Sequence, residues 1–238
     1  MRNRLMSLQF LLPVLSAFVM NLGLVATTYA LEVSDLSNAE ASKGLKEALI
    51  EGASKAVQQL GTTDGFYGNS EVKIPLPEPL KKAEKAIRML GMGKQADELV
   101  LKMNRAAEAA VPEAKTLLID SVKKMTLVDA KGILSGPDDA ATQYFKRTTS
   151  EALTNRFLPV VQKATQDVRL AQQYNKFAEM GSRYGLVKKD QVNLEQYVTQ
   201  KTLEGVYLMI AKEEAAIRQD PIGQGSKLLK KVFGAVNN

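Results

Sequence analysis

TLVDAKGILSGPDDAATQYFKRTTSEALTNRFLPVV, Thr126–Val161, is the stretch whose reading decides the fold. Gly136 reads as an N-cap with Pro137 at the first helical position, where a missing N–H is harmless. Asp138 and Asp139 then fall in the first turn, facing the positive end of the helix dipole. Ala141, Tyr144, Phe145 and Thr148 follow at i, i+3, i+4 and i+7, and Leu153, Phe157, Val160 and Ala164 continue the stripe that one buried helix face requires. Pro159 interrupts it: the ring removes the hydrogen bond to residue 155 and crowds the Asn155 carbonyl. A kink near Arg156–Leu158, or two helices meeting there, is expected. The stretch reads as a core hairpin first and a site second.

Working outward, the same period covers most of the chain from residue 38 to 233. Ser37 with Glu40 forms a capping box for a helix to Leu60, with Leu45, Leu49, Ala53, Ala56, Val57 and Leu60 on its apolar stripe. Gly61–Ser70, GTTDGFYGNS, is a loop by composition, and its Phe66 and Tyr67 either dock on the body or present aromatic surface; docking is the default. Val72–Leu76 is a short extended piece, because Pro75, Pro77 and Pro79 push the preceding residues out of the helical region. Pro79 starts a helix carrying Leu80, Ala83, Ile87 and Leu90, and Gly91 ends it. The next helix runs to Ala110, Val111-Pro112 marks a boundary, and Ala114, Leu117, Leu118, Val122 and Met125 stripe another. Residues 168–184 read as a helix with Leu170, Tyr174, Phe177 and Ala178 inward. Asn193 with Gln196 caps a long helix, Leu194–Gln219, whose Tyr197, Val198, Leu203, Val206, Met209, Ile210 and Ile217 mark a central element. The expected fold is all-α: a compact bundle of about seven to ten helices with one irregular Gly/Pro-rich loop, residues 31–238 forming one helical domain.

Composition excludes more chemistry than it suggests. The 238 residues contain no cysteine and no histidine. A Cys or His zinc site, a Ser-His-Asp or Cys-His catalytic unit and a disulfide framework are therefore ruled out. Any enzyme here would run on carboxylates, lysine, tyrosine or an oxygen-bound cation. Lys plus Arg exceeds Asp plus Glu by 32 to 26; Arg2 and Arg4 lie in the first 30 residues, which hold no acid, leaving 30 against 26. Lysines alternate with glutamates, as in KKAEKAIR from Lys81 to Arg88, so a solvated helix face is favoured over nucleic-acid binding.

Two motif matches fail on context. Gly91, Gly93 and Ala96 fit the G-x-G-x-x-A spacing, but a helical stripe stands where the dinucleotide fingerprint needs a strand. Ser121 and Lys124 have S-x-x-K spacing without the companion S-D-N and K-T-G elements. Adjacent Glu213 and Glu214 point in different directions and make a poor metal clamp. No cofactor is called for.

Residues 1–30 read as an export signal: Arg2 and Arg4 supply the positive region, Phe10–Met20 the apolar run, and Thr28 and Ala30 the small residues at minus three and minus one for cleavage after Ala30, with an uncleaved anchor as the competing reading. The absence of cysteine excludes a lipoprotein. The expected location is periplasmic or secreted. GSKLLKKVFGAV near the C-terminus is a basic amphipathic helix that docks on the body or makes peripheral contact with anionic membrane.

The phrases SDLSNAEASKGLKEAL, GNSEVKIPLPEPL, LGMGKQADELV, NRAAEAAVPEAK, GPDDAATQYFKR, TNRFLP and DPIGQGSKLLKKVFG, in that order, resemble the bacterial domain of unknown function 4197 family. The resemblance implies an exported, mainly helical protein of a Gram-negative-type bacterium; it brings no activity and no catalytic residues.

Two functions compete. One is a binding or interaction protein of the bacterial cell envelope, with an envelope protein or small ligand as partner. The other is a carboxylate-dependent hydrolase or lyase. Binding is preferred: side by side, Asp138 and Asp139 cannot converge on one atom, and helix-start charge accounts for them. The candidate binding residues are Phe66 and Tyr67 in the loop from Thr62 to Pro77, and Asp138, Asp139, Tyr144, Lys146 and Arg147 around the helix start. No catalytic or metal-binding residue is assigned.

Overall fold

Seven α-helices carry most of the described residues, which are 38–168, 171–175 and 193–220 of a computed structural model. All of them lie in the compact unit Leu31–Asn238. The helices are α1 (Asn38–Leu60), α2 (Glu78–Met89), α3 (Gly93–Ala110), α4 (Ala114–Lys124), α5 (Leu127–Leu134), α6 (Ala140–Thr165) and α7 (Leu194–Gln219), with a 3₁₀ turn at Val111–Glu113 between α3 and α4. Residues 171–175 are also helical, and no strand occurs among the described residues. The all-α expectation and its count hold. The export segment, the Ser37 cap, most of the helix expected over 168–184 and the basic C-terminal helix lie outside the described residues.

The core forms where α6 and α7 pack along each other, with α3, α1 and α4 laid against the pair. Three side-chain contacts fix the antiparallel register: Thr142 to Glu214 near one end, Thr149 Oγ1 to Tyr207 Oη at 3.0 Å midway, and Thr165 to Glu195 at the other end. Phe145, Leu153 and Phe157 are fully buried on α6, and Leu194, Val198 and Val206 on α7. On α1 the whole expected stripe from Leu45 to Leu60 is buried.

α6 departs from expectation in two ways. Gly136 and Pro137 do not open it; the helix begins at Ala140, with Asp139 at the N-cap position and no local side-chain cap. Glycine stands at 136 because a Cβ there would lie 2.4 Å from the Gly132 carbonyl oxygen, a packing demand rather than a capping one. The buried face also runs through Thr149, Val161 and Thr165, whereas Thr148 is exposed and Val160 and Ala164 are half-buried. Thr149 and Thr165 tolerate the core because each hydroxyl donates to the carbonyl four residues back, Phe145 at 2.7 Å and Val161 at 3.0 Å. Across Pro159, α6 is one helix rather than two meeting there. Both Pro159 and Asn155 lie on the exposed side, so the carbonyl that the ring leaves without its helix partner is not sealed in the core.

The loop after α1 is held by side chains of other helices. Glu108 Oε1 on α3 accepts from the Phe66 and Tyr67 amides, both at 3.0 Å. Asn104 Oδ1 accepts the Ile74 amide at 2.8 Å while its Nδ2 donates to the Ile74 carbonyl at 2.9 Å, so one amide side chain does what a neighbouring strand would do. Tyr197 Oη donates to the Pro75 carbonyl at 3.1 Å. Val72, Ile74 and Leu76 alternate inward, as an extended piece must.

Candidate functional site

The side chains singled out from sequence divide into separate neighbourhoods. Phe66 is completely buried: its ring packs against α7 at Gly205, where a Cβ would sit 2.7 Å from the Phe66 Cε1. Docking, the default for this loop, is what occurs. Tyr67 is half-buried beneath two cations, Lys73 Nζ at 4.0 Å and the Arg105 guanidinium at 5.7 Å from its ring centre. Arg105 in turn bridges Asp64 at 2.7 Å and Glu108 at 2.6 Å, and both acids raise its already high pKa, Glu108 foremost. Asp138 and Lys146 are exposed, and Asp139 is exposed with its carboxylate 2.8 Å from Gln143 Nε2.

Tyr144 and Arg147 are brought together. They share the wall of a cleft of about 400 Å³ between the C-terminal end of α4, the start of α5 and the first turns of α6. The Tyr144 hydroxyl donates to the Ser121 carbonyl at 2.8 Å, and Arg147 lies 5.4 Å from its ring centre. Asp120, Ser121, Lys124 and Asp129 complete the polar lining, with Leu117 and Ala152 as its apolar part. α4 contributes Ser121 and Lys124 from successive turns of one face, i and i+3.

The hydroxyl chemistry of the cleft is committed internally. Thr148 Oγ1 donates to the Tyr144 carbonyl at 2.8 Å and lies 2.7 Å from Ser121 Oγ, so the Ser121 proton is the one that bridges the pair. Ser121 is therefore a hydrogen-bonded packing residue rather than a free nucleophile. The acids are engaged as well. Asp129 receives the Thr126 hydroxyl at 2.7 Å and the Thr126 amide at 3.1 Å, which close the capping box of α5. Those two bonds, with Arg147 adding to them, hold its carboxyl below the usual aspartate value. Asp120 lies 3.5 Å from Lys123. Lys124, by contrast, has no acidic partner among the described residues, and Arg147, 3.4 Å from Asp129 and 65% exposed, keeps most of its donors open.

A second groove of about 420 Å³ lies between α6 and α7, lined by Thr154, Leu158, Gln196, Thr199, Gln200 and Leu203 and by no charged side chain. Among the described residues no three acidic side chains converge in a way that could hold a metal ion. Sequence reasoning had noted Ser121 and Lys124 only for their spacing and passed over Asp120 and Asp129. All four come from helices that only tertiary packing sets beside Tyr144, and the capping-box pattern at Thr126 and Asp129 was the one local signal available.

Geometry thus defines an all-α protein with a small polar cleft at one helix junction. The chain belongs to the family described as Protein of unknown function (DUF4197), which matches residues 35–234. No curated protein and no solved structure matches it.

Proposed function

We propose that this is a binding or interaction protein of the bacterial cell envelope, exported by residues 1–30, that takes a small anionic ligand in the cleft between α4 and α6. The observation that carries the reading is the imbalance inside the cleft: both acids are occupied by neighbours, whereas Lys124 has no acidic partner among the described residues and Arg147 is loosely paired. A carboxylate or phosphate group would find two cations there, with Leu117 and Ala152 against its apolar part. Binding is supported over hydrolysis because the Ser121, Thr148 and Tyr144 hydroxyl protons are all engaged in hydrogen bonds within the protein.

The test is amide chemical-shift mapping during titration with succinate and with inorganic phosphate. Saturable shifts confined to residues 117–129 and 144–152 are expected, and they should disappear in the Lys124→Ala/Arg147→Ala double variant at unchanged melting temperature. Shifts elsewhere, or none with either anion at millimolar concentration, would reject the reading.

A further inference from the structure

α2 is the most strongly amphipathic of the described helices, and it buries only part of its apolar surface, through half-buried Pro79 and Leu80. Ala83, Ala86 and Leu90 form a line at i, i+3 and i+7, and all three are exposed, Leu90 at 77% and its neighbour Met89 at 74%. Among the described helices the one against which α2 packs extensively is α3; Leu80 packs against the core, and Arg88 bridges Glu84 on its own helix at 2.8 Å and Asp97 on α3 at 2.6 Å. An amphipathic helix normally turns its apolar stripe to the core. Here Ala83, Ala86, Met89 and Leu90 are left outside it.

Charge selects what covers it. Lys82, Lys85 and Lys94 are exposed and have no acidic partner among the described residues, while Lys81 and Arg88 are paired. A second copy of the chain would bring the same positive surplus to the contact. An anionic lipid surface supplies both what the stripe lacks and what the lysines lack, because lysine stems run along apolar surface while their ammonium groups reach phosphates. No described helix is long and apolar enough to cross a membrane, so the contact would lie in the interface plane.

We infer that α2 and the turn into α3 form a peripheral docking element for anionic membrane, independent of the cleft. Ala83, Ala86, Met89 and Leu90 settle at the acyl boundary, and Lys82, Lys85 and Lys94 contact headgroup phosphates. This places the contact on α2, where sequence alone had suggested the basic C-terminal segment.

Because the full chain contains no cysteine, Ala86→Cys creates a single attachment site for an environment-sensitive dye. Glu151→Cys, on the exposed side of α6, is the matched control. With vesicles of phosphatidylglycerol in phosphatidylcholine, the dye at position 86 should shift to the blue and the dye at 151 should not. Raised salt should reverse the shift. Adding Lys82→Glu/Lys85→Glu should weaken vesicle affinity about thirtyfold or more at unchanged melting temperature. The inference is overturned by no shift at 86, by equal shifts at 86 and 151, or by an equal response to phosphatidylcholine alone. A shift that grows with protein concentration without vesicles would also overturn it, by showing that a second copy covers the stripe.

Discussion

Glu214 and Thr142 are joined twice: one carboxylate oxygen of Glu214 accepts both the Thr142 amide, at 2.9 Å, and the Thr142 hydroxyl, at 2.8 Å. Its other oxygen takes the Ala141 amide at 3.0 Å and the Arg218 guanidinium at 2.9 Å. Arg218 also donates to the Ile133 carbonyl at the end of α5. A single buried acid on α7 therefore caps α6, while Asp138 and Asp139, the acids placed locally for that purpose, remain in solvent. Neighbouring Glu213 turns elsewhere, to Lys55 on α1 at 2.7 Å.

Glu214→Ala leaves two amides and a partly buried guanidinium without their acceptor, and it should destabilise the fold by about 3 kcal/mol or more in urea titration. Glu214→Gln keeps one acceptor oxygen and should lose roughly half as much. A loss below about 1 kcal/mol for the alanine variant would mean that water caps α6 equally well.

Asn104 is completely buried and bonds the Ile74 amide, the Ile74 carbonyl and the Val100 carbonyl. Asn104→Asp preserves shape but removes the donors and sets a charge against two carbonyls, at a cost of about 2 kcal/mol or more near neutral pH. Because burial beside carbonyls disfavours the charged form, the folded state should bind the extra proton more readily than the unfolded chain, and stability should recover as pH falls. A pH-independent defect would show that the side chain matters for shape alone.

Gly205→Ala drives a Cβ into the Phe66 ring and should cost about 1–3 kcal/mol. Phe66→Leu in the same chain should relieve part of that cost, giving a favourable coupling in the double-mutant cycle. Additive losses would show that the clash is absorbed elsewhere. Phe66→Ser alone should cost about 3 kcal/mol or more, since the ring is entirely inside. The polar swap at half-exposed Tyr67 should be milder.

Asp129 has a folded pKa held below its ordinary value of 3.8 by the Thr126 hydroxyl and amide. Its contribution is thus fully present above 3.8 and is lost as pH falls through the lower folded value. Hydrogen exchange of the first-turn amides of α5 should accelerate over that acid window in the native chain. Asp129→Asn should flatten the dependence and cost about 1 kcal/mol at neutral pH, the usual value of a cap. An acid response unchanged by the substitution would assign it to another carboxylate.

What was legible in the sequence was whatever rests on local spacing. The stripes of α1 and α4, the Asn193 cap of α7, and Gly91 as the residue that takes a positive φ of 78° after α2 were all readable, since the cause of each lies within a turn or two. The start of α6 misled because its cap comes from Glu214, and because Gly136, which resembles a cap, answers instead to the Gly132 carbonyl. The buried line of α6 slipped because a threonine that bonds its own helix behaves as an apolar residue. Of the proposed site, Tyr144 and Arg147 were found from their charge and aromatic character. Ser121, Lys124, Asp120 and Asp129 become neighbours of that pair only through the α4–α6 and α5–α6 contacts.

The capping of α6 by α7 also sets an order of events for a chain made or threaded from its N-terminus. When α6 first emerges, the acceptor for its leading amides is still many residues behind, so its first turn stays frayed and exchanges with solvent. Arrival of α7 closes that turn and, through Arg218, the end of α5. Completion of the fold is thus gated by a late, sequence-distant contact, and chains that stop short of Glu214 should retain α6 toward its C-terminal end and lose it at the start.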